Sequence, residues 1–171
     1  MFFTINLLKI KGFSFMKLSP EDQRLVHNLK PSKFSKEGFL GTDSRSVQEI
    51  IDDDLRTREK TGVSQELLVQ ALKDAYLRAK NAFGAEIEIK KDVKAVFHES
   101  MGRIPSPFCK DGLFEKGEAV ITDCTNNLSL IITSLGINLI EKHNFFQGRG
   151  CRFRIDPWVA IKIFNLQPDK K

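Results

Sequence analysis

A chain of 171 residues has the length of one ordinary domain, and 41% hydrophobic with 29% charged residues excludes a disordered or fibrous chain. The net charge of +5 is uneven: residues 1–41 and 124–171 each carry +4, while 42–62 carry −2 and 63–123 carry −1. That excess favours anionic partners in general without selecting one, and no apolar run is long enough to span a membrane. Fourteen phenylalanines stand against one tryptophan and one tyrosine, so the aromatic content is mainly core filler. Three cysteines, Cys109, Cys124 and Cys151, cannot all pair, which argues against a secreted disulfide scaffold and for a reducing, cytoplasmic setting.

The first fifteen residues, MFFTINLLKIKGFSF, lack the charge order and cleavage site of a signal peptide. Met16 stands just ahead of a helix start, so residues 1–15 read as a non-native extension and 16–171 as a single α+β domain, helical over 16–83 and sheet-rich over 84–171. Ser19, Pro20, Glu21 and Asp22 start a helix predicted to run to Lys30 before Pro31. Ser46 with Glu49 has capping-box spacing, and Val47, Ile50, Ile51 and Leu55 then recur on one face until Gly62. Ser64 caps a third helix with a stripe of Leu67, Leu68, Ala71, Leu72, Ala75 and Ala79, ending at Gly84. The second and third helices are expected to form an antiparallel pair.

At Gly84 the period changes from helical to alternating. AEIEIKKDVKAVFHES reads as a hairpin with a three-residue loop at Lys90, Lys91 and Asp92, pairing Ile89 with Val93, Glu88 with Lys94 and Ile87 with Ala95. That register gathers the apolar side chains, except Val96, on one face. The connection GRIPSPFCKDGLF is too proline-rich for a helix or central strand. Residues 117–123 and LSLIIT supply two more strands about the turn residues TNN. A short helix from Ser134 to His143 follows, and Asp156 with Pro157 opens a last one. The expected architecture is α+β: three N-terminal helices on one face of a mostly antiparallel sheet of about four or five strands, with the C-terminal helices covering the remaining apolar surface.

Chemistry is best sought in HNFFQGRGCRFRID, residues 143–156, whose stretch from His143 to Ile155 carries three arginines and no acid. If residues 151–155 are extended, Cys151, Phe153 and Ile155 point inward and Arg152 and Arg154 project together. The GRG turn would let an anion approach backbone amides under Arg149, with Phe146 or Phe145 as a stacking surface for a base. His143, at a helix C-terminus, sits where a positive charge is favoured. A purely structural reading carries somewhat more weight: Arg154 pairs with Asp156, cations on an edge strand discourage sheet addition, and abundant phenylalanines usually fill a core.

Elsewhere, His98 and Glu99 are neighbours on a strand and point to opposite faces, so they do not act as a pair unless the strand breaks, and Glu99 is expected at the sheet rim. Arg103, stiffened by Pro105 and Pro107, is a candidate ligand clamp, and Cys109 next to Lys110 a candidate thiol. Asp43 and Arg45 precede a helix start able to hold an anion, although capping is their commoner use. No close pair of metal ligands occurs; His98, His143 and a carboxylate would have to be assembled by folding. No cofactor motif is present.

The first functional expectation is a binding protein for a phosphate-bearing partner, nucleic acid ahead of a nucleotide or phosphorylated small molecule, gripped by Arg149, Arg152, Arg154 and Phe146. The second is a small enzyme whose site lies between HESMGRIPSPFC and HNFFQGRG, with His98 or His143 as general base, Glu99 nearby, and Arg103 or Arg149 holding an anionic substrate. The third is an interaction module without chemistry. Nothing in the sequence fixes the oligomeric state.

Overall fold

In the computed structural model, residues 19–33 and 35–169 are described. The suggested start at Met16 and the extension before it lie outside them. Among the described residues five helices and six strands make an α+β fold: α1 (Pro20–Asn28), α2 (Val47–Glu59), α3 (Gln65–Asn81), β1 (Ile87–Lys90), β2 (Val93–His98), β3 (Arg103–Pro105), β4 (Leu113–Glu115), β5 (Glu118–Asp123), β6 (Leu128–Thr133), α4 (Ser134–His143) and α5 (Pro157–Phe164). An antiparallel sheet runs in the order β1-β2-β5-β6, and β3 and β4 form a separate two-stranded ribbon. Among the described residues no helix is long and apolar enough to cross a membrane.

The caps form where the hydroxyls predicted them. Ser19 accepts from the Asp22 amide, Ser64 accepts from the Leu67 amide, and Ser46 and Glu49 exchange the two bonds of a capping box. The helices end earlier than expected, because short turns precede the residues that punctuate them. Helix α1 stops at Asn28 rather than Lys30, and α2 stops at Glu59 before a turn to Gly62.

One face of the sheet is covered by α3 and α5. Leu68, Leu72, Ala75 and Ala79 of α3 meet Ala95, Phe97, Ala119, Ile121, Leu130 and Ile132 from the strands, joined by Ile161 and Ile163 of α5. A second core gathers Leu29, Phe39, Ile50, Leu135, Leu139 and Phe145. The expected α2–α3 pair is not formed: α2 packs against α5, while α3 packs on α4 and the sheet. The inward side of α2 carries Asp54, only 3% exposed, which requires a cation and finds it in the turn before α5.

The first hairpin keeps the predicted partners Ile87–Ala95 and Glu88–Lys94, but Lys90, not Ile89, pairs with Val93. Asp92 adopts a left-handed conformation (φ 63°), tightening the turn to Lys91 and Asp92, and a bulge between Glu88 and Lys90 absorbs the extra residue. The bulge leaves Ile87 and Ile89 both packed against the core. The proline-rich connection is more ordered than a loop, since Arg103, Ile104 and Pro105 pair with Glu115, Phe114 and Leu113. This ribbon is pinned at one end by Glu115, which accepts from Tyr76 and Lys80 of α3, each at 2.7 Å.

Candidate functional site

The 147–156 segment is not a strand. It runs as consecutive turns, with the Arg154 amide bonded to the Cys151 carbonyl, and its arginines diverge. Arg149 reaches Asp53 at 3.1 Å, Arg152 reaches Glu118 at 2.7 Å, and Arg154 donates to both carboxylate oxygens of Asp54 and to the Gln147 carbonyl. The physical reason lies outside the segment: α2 and β5 bring carboxylates to it that an isolated reading of residues 143–155 does not contain. Arg154 lies 3.8 Å from Asp156 as well, so the expected pair exists but is secondary to Asp54.

The glycines have a structural task. A side chain at Gly148 would collide with the backbone of Leu40, and one at Gly150 with Thr42. The two chains are stitched by Gly148 N to Phe39 O and Thr42 N to Arg149 O, both 2.9 Å, so the space beside GRG is filled by the protein's own loop. Asp43 and Arg45 belong to the same knot: Asp43 accepts from the Arg45 guanidinium and the Arg149 amide, and the Arg45 bonds hold its carboxyl far below the usual carboxylate range. Phe145 and Phe146 are at most 1% exposed, in the two cores, so neither offers a stacking surface.

His98 is exposed on the uncovered sheet face, beside a shallow depression that it lines with Lys94, Thr122 and Cys124. Strand β2 ends at His98, and Glu99 follows it, exposed, at the rim. Arg103 is exposed on the ribbon opposite Glu115. These three are not gathered around His143.

His143 has a different set of neighbours, supplied by the 106–112 turn at the tip of the ribbon. Asp111, whose side chain is 7% exposed, accepts from His143 Nε2 at 2.8 Å, Asn138 Nδ2 at 2.8 Å and Ser106 Oγ at 3.0 Å. Lys142 Nζ lies 3.8 Å from its other oxygen. Burial works against the Asp111 charge, but the bonds from His143, Asn138 and Ser106 outweigh it and hold the carboxyl below its ordinary range. The Phe108 ring stacks flat on the imidazole, centroids 3.7 Å apart and planes within 5°. The turn itself is set by Ser106 Oγ accepting from the Phe108 amide and by the Asp111 amide bonding the Phe108 carbonyl, while Asn28 of α1 holds the Pro107 carbonyl at 3.0 Å.

An ionised carboxylate only accepts, so the ring nitrogen facing Asp111 carries the proton. The other nitrogen, Nδ1, has no hydrogen-bond partner among the described residues, and a quarter of the side chain is exposed. A carboxylate, an imidazole oriented by it and a second nitrogen without a partner among the described residues form the arrangement that lets a histidine exchange a proton with a bound group.

The first loop of the expected enzyme site, residues 98–109, reaches His143 through Phe108 and, by way of Asp111 just beyond it, through Ser106, while His98, Arg103 and Arg149 are not brought there. Asp111, Asn138, Phe108 and Lys142 were missed by the sequence reading. One signal for them exists: Asn138 is a polar residue inside the apolar run LGINLI, and a buried polar side chain in such a helix requires a partner. Among the described residues no group of three or more His, Cys, Asp or Glu side chains is placed to hold a metal ion. Neither a protein-family model, nor a curated protein, nor a solved structure matches this chain.

Proposed function

We propose that the protein is a small cytoplasmic acid–base catalyst acting on an anionic substrate, with His143 exchanging the proton, Asp111 fixing the ring's tautomer and orientation, and Lys142 supplying positive charge beside the site. The observation that carries this reading is the buried Asp111 carboxylate, bonded by three side chains and aligned on one nitrogen of a quarter-exposed, ring-stacked histidine. Three free cysteines accord with a reducing compartment. Purified protein is assayed for turnover of a panel of phosphate and carboxylate esters, with His143→Gln in parallel. Turnover that falls by about a hundredfold or more in the variant supports the reading. Absence of turnover across the panel, or turnover indifferent to the substitution, contradicts it.

A second reading, binding of nucleic acid or another phosphate-bearing partner by the C-terminal arginines, draws support from exposure. The side chains of Arg149 and Arg152 are 66% and 52% exposed, so each has edges free of its carboxylate. In that reading oligonucleotide affinity falls steeply with salt and weakens in Arg149→Ala, as followed by fluorescence anisotropy. Salt-insensitive or absent binding removes it.

A further inference from the structure

The two edges of the four-stranded sheet are built differently. At β1 the edge is guarded: Arg78 donates to the Ile89 carbonyl at 2.8 Å and the Glu88 carbonyl at 3.2 Å, a bulge interrupts the strand, and charged residues alternate along it. At β6 none of these devices is present. Its six residues, Leu-Ser-Leu-Ile-Ile-Thr, carry no charge, proline or glycine, and they pair with β5 without a bulge. In an antiparallel ladder alternate residues turn both N–H and C=O away from the neighbour. Among the described residues no backbone or side-chain group bonds the outward side of β6.

The sheet face that no described helix covers leads to this edge. Val96, Val120 and Ile131 are in direct register across β2, β5 and β6, forming an apolar row that ends at β6. We propose that β6 is the contact strand of a two-fold dimer, in which a second copy of this chain adds its own β6 antiparallel and extends the sheet from four strands to eight. The strand is self-complementary in one register. An axis at Ile131 sets Ile131 against its equivalent, Ser129 against the second copy's Thr133, and Leu130 against the second copy's Ile132. Each pair lies on one face, apolar with apolar and hydroxyl with hydroxyl. The same register carries the Val96–Val120–Ile131 row into its counterpart. A charged partner peptide finds no complementary charge along this strand, whereas a second copy finds a like surface.

Sedimentation equilibrium of the full chain, paired with amide hydrogen exchange over residues 128–133, tests the proposal. The wild-type protein is expected at twice the chain mass, with the outward β6 amides exchanging more slowly as concentration rises. Ile131→Lys, which opposes two lysines at the axis, is expected to halve the mass and abolish that protection. Ser129→Lys, at an already exposed position, is expected to do the same and serves if Ile131→Lys does not fold. A monomer at every concentration, a dimer whose β6 amides are no better protected, or a dimer that persists in the folded variants overturns it.

Discussion

Two polar neighbourhoods in this protein use similar groups to opposite effect. In the 147–156 turns, each arginine meets a carboxylate from another element, and the most buried pair, Arg154 with Asp54, joins that turn to α2. Around His143 a single carboxylate collects its donors and thereby orients a ring whose second nitrogen finds no partner among the described residues. The first neighbourhood closes on itself; the second leaves one ring nitrogen without a partner among the described residues. A cation's availability is thus set by which acceptors the fold delivers to it, and that inventory is not contained in the cation's own segment.

Several substitutions separate the two neighbourhoods. Arg154→Ala strands a buried carboxylate and is expected to destabilise the fold by about 3–5 kcal/mol in urea unfolding; an effect near zero means that the turn is not locked onto α2. Gly148→Ala forces a methyl group against the Leu40 backbone, with a cost toward the upper end of roughly 1–3 kcal/mol. A tolerated Gly148→Ala reopens the space beside GRG as a ligand site.

Asp111→Asn is expected to cost about 1.5 kcal/mol at neutral pH. Because the folded protein holds the Asp111 carboxyl below its unfolded value, this contribution is present above the ordinary carboxylate range and fades as pH falls through the lowered value. Urea melts of wild type and variant should therefore converge in acid. A gap that persists at low pH would show that the carboxylate's charge is not what holds the turn. Arg152→Ala, at a half-exposed pair, should change stability by less than about 1 kcal/mol, the smallest effect of the four.

Much of the fold was legible because local chemistry decided it. Ser19, Ser46 and Ser64 cap helices wherever they occur before such sequences, and the alternation of residues 117–123 and 128–133 reads directly as paired strands. The hairpin register slipped at its tip because Asp92 accepted a left-handed turn, a choice that alternation does not encode. The site was less legible. His143 could be singled out from its place at a helix end, but its partner Asp111 lies 32 residues away in an Asp-Gly turn that by sequence is only a turn. The partners of the arginines were hidden for the complementary reason: Asp53 and Asp54 lie on α2 and Glu118 on β5, and only folding carries these elements to residues 149–154.

Nitrogen-15 NMR of the His143 ring, recorded where the imidazole is neutral, tests the central claim most directly. The structure predicts a proton on Nε2, directed at Asp111, and an unprotonated Nδ1 whose resonance responds when inorganic phosphate is added. A proton on Nδ1, or an Nδ1 resonance indifferent to the anion, would contradict an acid–base site at this histidine.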